Sequence, residues 1–193
     1  MGVEFEVKFQ ATREQLEAIR SGEPGLERWY AMATTYYDTP EGALSERMFT
    51  LRRRRENDRS VCTLKTPEQG LGRREFELDC DNIKEALPEL CKLSGVPELE
   101  ELTERLEPLC GATFNRIAKS VELPDCTVEL ALDLGVLTGG SKEEYLCEVE
   151  AELKEGSREA VLEYARYLAR TYGLVQEKKS KFRRAQLLAK GGS

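Results

Sequence analysis

From Val3 to Phe9 the chain alternates hydrophobe and charge without a break. Successive side chains of a β-strand point to opposite faces, so Val3, Phe5, Val7 and Phe9 share one face and Glu4, Glu6 and Lys8 the other. Glu4 and Glu6 would stand about 6.5–7 Å apart, which suits two carboxylates converging on a divalent cation. One such segment is more simply an amphipathic strand with a solvated outer face. The pattern, however, returns. Arg73, Glu75, Glu77 and Asp79 fall on one face of a second segment, and Glu148, Glu150 and Glu152 on one face of another. Arg52 aligns with Arg54, and Glu129 with Asp133. Adjacent like charges on a sheet repel by about a few tenths of a kcal/mol or more. A surface selected for solubility alone mixes its signs locally. Stripes of one sign make physical sense when they face each other across a cavity that holds a metal ion and an anion.

Length and composition narrow the chemistry. At 193 residues the chain fits one domain, residues 1–190, with a short tail at 191–193. Its 40% hydrophobic and 34% charged content is that of a soluble protein. There is no long apolar run that would span a membrane and no apolar leader, so a cytoplasmic protein is expected. A net charge of −7 argues against general nucleic-acid binding, despite basic clusters at 52–55 and 178–184. The six cysteines are scattered, without metal-ligand spacing, and are expected to be reduced core residues; Trp29 is likewise assigned to packing. Histidine is absent. Every scheme built on a histidine base or ligand is therefore excluded, which leaves carboxylates, Lys, Arg, Tyr and a hard cation bound through oxygen.

Period-2 patterning predicts eight strands, at about 3–9, 33–38, 47–56, 60–66, 73–80, 113–121, 127–135 and 144–153. Short polar turns at 57–59, 68–72, 124–125 and 138–141 favour antiparallel hairpins. Thr12 and Ser157 are N-cap candidates for helices reaching about Arg20 and Tyr172, the second ended by Gly173. Residues 81–110 read as an acidic insertion of two helices, 81–92 and 98–109, and a basic helix is expected from about Lys181 to Ala189. The predicted fold class is α+β. It is an eight-stranded antiparallel β-barrel tunnel with a charged interior, its apolar outer face covered by amphipathic helices.

The residues carry a resemblance to a known family. Glu4, Glu6 and Lys8 match a Glu-x-Glu-x-Lys hallmark, and Tyr36 to Thr39 a Tyr-Tyr-Asp-Thr segment. Leu51, Arg52 and Arg54 match Leu-Arg-x-Arg, and Leu64 with Lys65 a Leu-Lys strand. Arg73, Glu75 and Glu77 follow, with Arg116 as a later strand arginine. Glu129 to Gly135 match an acidic strand, Glu148, Glu150 and Glu152 a second, and Ser180 to Arg184 a C-terminal Ser-Lys motif with one extra arginine. In this order they resemble the CYTH, or triphosphate tunnel metalloenzyme, superfamily across nearly the whole chain. Any one motif is weak; several in register are specific.

The resemblance implies a divalent-metal-dependent triphosphatase using Mg²⁺ or Mn²⁺, acting on a small-molecule triphosphate. Inorganic triphosphate, cleaved to pyrophosphate and phosphate, is the leading substrate. Phosphoryl transfer needs charge neutralisation and in-line positioning more than covalent help. The implied phosphate-binding residues are Lys8, Arg52, Arg54, Lys65, Arg73, Arg116 and Lys181. The implied metal ligands are Glu4, Glu6, Asp133, Glu148 and Glu150, with Glu75, Glu77, Glu129 and Glu152 as secondary or orienting carboxylates. Lys65 and Tyr36, together with Glu4 and Glu6, are the catalytic candidates. Thiamine triphosphatase and class IV adenylate cyclase share the tunnel signature. A polyphosphate- or nucleotide-binding module without turnover is the non-enzymatic alternative, disfavoured because an anion site alone has no use for the carboxylates.

Overall fold

In the computed structural model of the protein, residues 3–67 and 73–191 are described, apart from the side chains of Val3 and Glu4; the turn expected at 68–72 lies outside the described residues. The strands are β1 (Val3–Glu4), β2 (Glu6–Gln10), β3 (Glu27–Asp38), β4 (Thr50–Glu56), β5 (Arg59–Pro67), β6 (Arg73–Asp79), β7 (Glu107–Leu123), β8 (Cys126–Gly139), β9 (Lys142–Gly156) and β10 (Val175–Gln176). The helices are α1 (Arg13–Gly22), α2 (Ala43–Glu46), α3 (Ile83–Ser94), α4 (Arg158–Tyr172) and α5 (Lys181–Ala189), with a 3-10 helix at Pro97–Arg105.

The strands form one antiparallel sheet in the order β1-β6-β5-β4-β3-β7-β8-β9-β2-β10. Only Phe5 separates β1 from β2. β1 pairs with β6 through Glu4↔Arg73, and β2 pairs with β9 through Lys8↔Glu150. The N-terminal strand thus joins the two ends of the sheet, and the result is barrel-like. With β1 and β2 taken as one bent strand and the two-residue β10 set aside, the ring holds eight strands, as the sequence pattern predicts. Its closure on the β6 side is thin, two residue pairs long.

Several boundaries differ from expectation for a common reason. β3 starts at Glu27 instead of 33, and β7 starts at Glu107 instead of 113, because the two strands pair along their full length from Glu27↔Lys119 to Asp38↔Glu107. Pro108 and Leu109 therefore belong to a strand, not to a helix. A register shift between Tyr36 and Tyr37 absorbs Leu109 beside Pro108, whose missing N–H suits an irregular point in the ladder. The second helix of the acidic insertion shrinks to the 3-10 turn. β4 starts at Thr50 because α2 occupies residues just before it: Asp38 accepts hydrogen bonds from the amides of Leu44 and Ser45 and holds that short helix.

The expected caps are present. Thr12 Oγ1 accepts from the Gln15 amide while Gln15 Oε1 accepts from the Thr12 amide, a reciprocal capping box. Ser157 caps α4 as expected, and Ser180, not foreseen as a cap, caps α5. Gly173, at φ 68°, takes the left-handed conformation that ends α4.

Three apolar clusters pack the fold. One lies between the outer face of β2, β8 and β9 and helices α1 and α4, around Phe9, Leu130, Val149, Ile19 and Leu168. A second lies between β4, β5 and β6 and α3, around Leu51, Leu64, Phe76, Leu87 and Leu90. The third is inside the barrel, where Met32, Cys110, Phe114, Leu137 and Leu146 meet Ala185 of α5. The inner face is thus charged along part of its length and apolar where α5 plugs it. Trp29 corrects the packing expectation. It is 55% exposed on the outer face of β3, with the Arg20 guanidinium 4.8 Å above its ring. No helix of the described residues is long and apolar enough to cross a membrane.

Candidate active site

The charged inner faces enclose a cavity of about 310 Å³. One wall, from β4, β5 and β6, presents Arg52, Arg54, Lys65 and Arg73 above Glu75 and Glu77. The opposite wall, from β2, β8 and β9, presents Glu6, Glu129, Glu150 and Glu152, with Lys8 among them and Arg116 entering from β7. α5 closes one end with Lys181 and Phe182, the latter ring lying 5.1 Å from that of Tyr36. All of these but Phe182 are sequence-predicted candidates; period 2 places the strand residues on the inner face, and the docking of α5 brings in Lys181. The side chain of Glu4, also a candidate, lies outside the described residues.

Among the described residues, the basic wall pairs with Glu75, Glu77 and Glu56. Arg52 donates to Glu75 at 3.1 Å and approaches Glu77 at 3.9 Å, and Lys65 meets Glu75 at 3.2 Å. Burial would raise the Glu75 carboxyl, but Lys65 and Arg52 outweigh it and hold it below its usual range. Arg73 donates to Thr50 Oγ1 and to the Met48 carbonyl. Arg54 donates to Thr34 Oγ1 at 3.3 Å and approaches Glu56 at 3.7 Å. Burial, followed by the neighbouring charges of Arg52 and Arg116, pushes the Arg54 guanidinium below its usual value. Cations crowded in this way are stabilised by an arriving anion.

The acidic wall is interlocked. Arg116 grips Asp133 through two hydrogen bonds of 2.7 Å each and reaches Glu150 at 2.5 Å. Lys181 Nζ contacts Asp133 at 2.9 Å, Glu150 at 2.7 Å, and Glu148. Arg184 completes the set, bonding Glu148 at 2.9 Å and Glu144 at 2.7 Å. Asp133 and Glu148 are fully buried and stand behind the cavity surface, whereas Glu150 faces it. Burial pushes Glu148 up to about 7, against the pull of Lys181. For Glu150 burial acts the same way, but Lys181 and Arg116 together hold it well below the usual carboxylate range. Burial would lower Lys8 as well, yet its 2.7 Å pair with Glu6 raises it.

Tyr36 and Lys65 both line the cavity, but their contacts run to different partners, Phe182 for the tyrosine and Glu75 for the lysine. Five lining residues are not among the sequence candidates: Thr50, Glu56, Lys154, Ser180 and Phe182. Two had a signal. Glu56 continues the Arg52–Arg54 stripe by one more step of two, and Lys154 continues the stripe of Glu148, Glu150 and Glu152. Phe182 had none, because a helix phase does not reveal what the helix covers.

The residues fit a divalent cation. The donors are carboxylate oxygens throughout, and one oxygen from each of Asp133, Glu148 and Glu150 lies within 4.8 Å of the others. The CYTH domain family model matches residues 2–185. The chain belongs to the CYTH domain family. This CYTH domain is 31% identical over 162 residues to an inorganic triphosphatase of Haemophilus influenzae, across 81% of this chain and 46% of that protein. It therefore spans less than half of that relative's length. Among solved structures, a Hippeastrum protein described as having a dominant triphosphatase activity aligns at TM-score 0.68. It is 19% identical, with 100% of this chain and 97% of that one covered. A Pyrococcus horikoshii protein aligns at TM-score 0.62 and 21% identity, covering 94% and 97%. These two likenesses establish the fold.

Proposed function

We propose that this CYTH domain hydrolyses inorganic triphosphate to pyrophosphate and phosphate, one water being consumed per phosphoanhydride cleaved. The observation that carries the reading is charge balance. Among the described residues, eight basic and seven acidic side chains line the cavity. A triphosphate carries several negative charges, so a nearly neutral cavity receives it only together with cations. An anion-binding module would keep the basic wall and omit the acidic one.

Arg52, Arg54, Lys65 and Arg73 bind and orient the phosphates, the arginines by their fork of donors. Lys8 and Arg116 bridge toward the acidic wall. Mg²⁺ or Mn²⁺ is the cation, held by Glu6 and Glu150 with Asp133 and Glu148 behind them, and Glu4 joins this group through its motif. When bound, such an ion neutralises phosphate oxygens and lowers the pKa of a coordinated water. Glu129 and Glu152 orient the acidic wall, and Glu75 and Glu77 the basic one. Tyr36 and Lys65 steady the leaving phosphate. Among the described residues, the aromatics lining the cavity, Tyr36 and Phe182, pack on each other, which disfavours stacking of a nucleobase or thiamine there. Free thiols at all six cysteines suit a cytoplasmic setting.

The test is product analysis with triphosphate, ATP and thiamine triphosphate, each with Mg²⁺ and with Mn²⁺. Triphosphate should be cleaved fastest, and chelation by EDTA should abolish turnover. Full activity in metal-free buffer, or cyclic AMP as the main product from ATP, would overturn the reading.

A further inference from the structure

We infer that α5 brings a cation of its own into the acidic cluster, so that seating of its first turn and binding of a divalent cation at Asp133, Glu148 and Glu150 exclude one another. The inference rests on the proposed metal-dependent reading of the site.

Three observations support it. First, Lys181 Nζ contacts all three carboxylates, in a cluster where one oxygen of each lies within 4.8 Å of the others. An ammonium and a divalent ion cannot share that space, because like charges a few ångströms apart repel strongly where water is excluded. Second, the buried face of α5 is Lys181, Arg184, Ala185 and Gln186, which is mostly polar. Its charged members, Lys181 and Arg184, are held by pairs to Asp133, Glu148 and Glu150, the pairs that a divalent cation at those carboxylates would replace. Third, the helix is pinned at its other end. Gly139 of β8 lies so close that a Cβ there would collide with the Ala185 carbonyl and the Ala189 amide. The first turn can move while the C-terminal half stays.

Two consequences follow. Without metal, Lys181 neutralises two fully buried carboxylates that would otherwise be costly to keep charged. With metal, withdrawal of the first turn carries Ser180, Lys181 and Phe182 away from the cavity they line, and widens it at that end. Cation loading and access for the substrate are then one event.

The experiment measures Mn²⁺ binding to the full chain, without substrate, by electron paramagnetic resonance of the free ion. Lys181→Met removes the resident cation and should tighten Mn²⁺ binding about tenfold or more. Equal or weaker binding than wild type overturns the inference. A second measurement uses the wild-type protein and so does not depend on the variant folding: amide hydrogen exchange of residues 181–185 with and without Mn²⁺. Exchange there should accelerate with Mn²⁺, while residues 186–190 stay unchanged. Exchange that is slowed or unaltered at 181–185 overturns the inference. Neither readout involves turnover, so a chain without triphosphatase activity would refute the proposed function and leave this result standing on its own.

Discussion

The two walls of the cavity are built from the same kind of strand yet solve opposite electrostatic problems. On the acidic wall each buried carboxylate already has a cation. Asp133 has Arg116 and Lys181, Glu148 has Lys181 and Arg184, and Glu150 has Arg116 and Lys181. On the basic wall, Arg54 meets a hydroxyl at 3.3 Å and a carboxylate at 3.7 Å, beside the charge of Arg52. The first wall is compensated within the fold and contributes to holding it together. The second crowds positive charge that an arriving anion relieves. A residue's sign therefore says less about its role than how far the fold has already neutralised it.

The largest expected effect tests the compensated wall. Arg116→Ala would leave Asp133 and Glu150 short of a buried partner, and breaking a buried pair in this way costs about 3–5 kcal/mol. Urea unfolding should show that loss. A change below about 1 kcal/mol, the range of surface pairs, would mean that the wall is not interlocked.

Arg54→Ala tests the other wall. It removes the proposed phosphate contact, a charge-assisted one worth about 1.5–3 kcal/mol. The kcat/KM for triphosphate should fall roughly 10- to 150-fold. Extra metal should not restore it, and urea stability should change little or rise, since crowding with Arg52 is relieved. Were Arg54→Ala as destabilising as Arg116→Ala, the contrast between the walls would collapse.

Glu6→Gln sharpens the division of labour further. It keeps the side-chain shape but removes the charge of a proposed ligand, so Mn²⁺ affinity should drop by about tenfold, with activity partly recovered at high Mn²⁺. Rescue of Arg54→Ala by metal, or no rescue here, would reassign the two walls.

The smallest effect is expected at Trp29→Ala, outside both walls. An exposed cation–π contact is worth about 0.5–1 kcal/mol, so stability should change by no more than that and kcat/KM should be unchanged. A marked loss of activity would show that the outer face of β3 communicates with the cavity.

Much of this architecture is legible in the amino-acid pattern. The alternation from Val3 to Phe9, the stripes at 52–54, 73–79 and 148–152, and the caps at Thr12 and Ser157 all reappear in the fold. The features that pattern does not reveal have identifiable causes. The first six residues of β3 and of β7 carry no clean period-2 signal; they are strands because each strand is the other's partner across the sheet. Trp29 is large and aromatic, which argues for burial, but it stays half exposed with only a guanidinium of α1, that of Arg20, placed over its ring. The apolar interior at Met32, Phe114, Leu137 and Leu146 shares its strand face with Arg116 and Asp133, so local pattern cannot separate it from an outer core.

The division between the two levels follows from strand geometry. Period 2 determines which face a side chain takes, and that is enough to place Glu6, Arg52, Arg54 and Glu150 inside. It leaves open how far along the barrel axis each residue sits, since that height depends on strand tilt and on the register between neighbours. Register sets Arg116 opposite Asp133 and Asp133 opposite Glu148, which withdraws two predicted ligands behind the cavity surface. The docking of α5 then delivers Lys181, distant in the chain, to the same three carboxylates. Sequence determined the sign of each wall. Only the tertiary structure decided which charges were already paired, because pairing depends on distances between strands that local pattern does not encode.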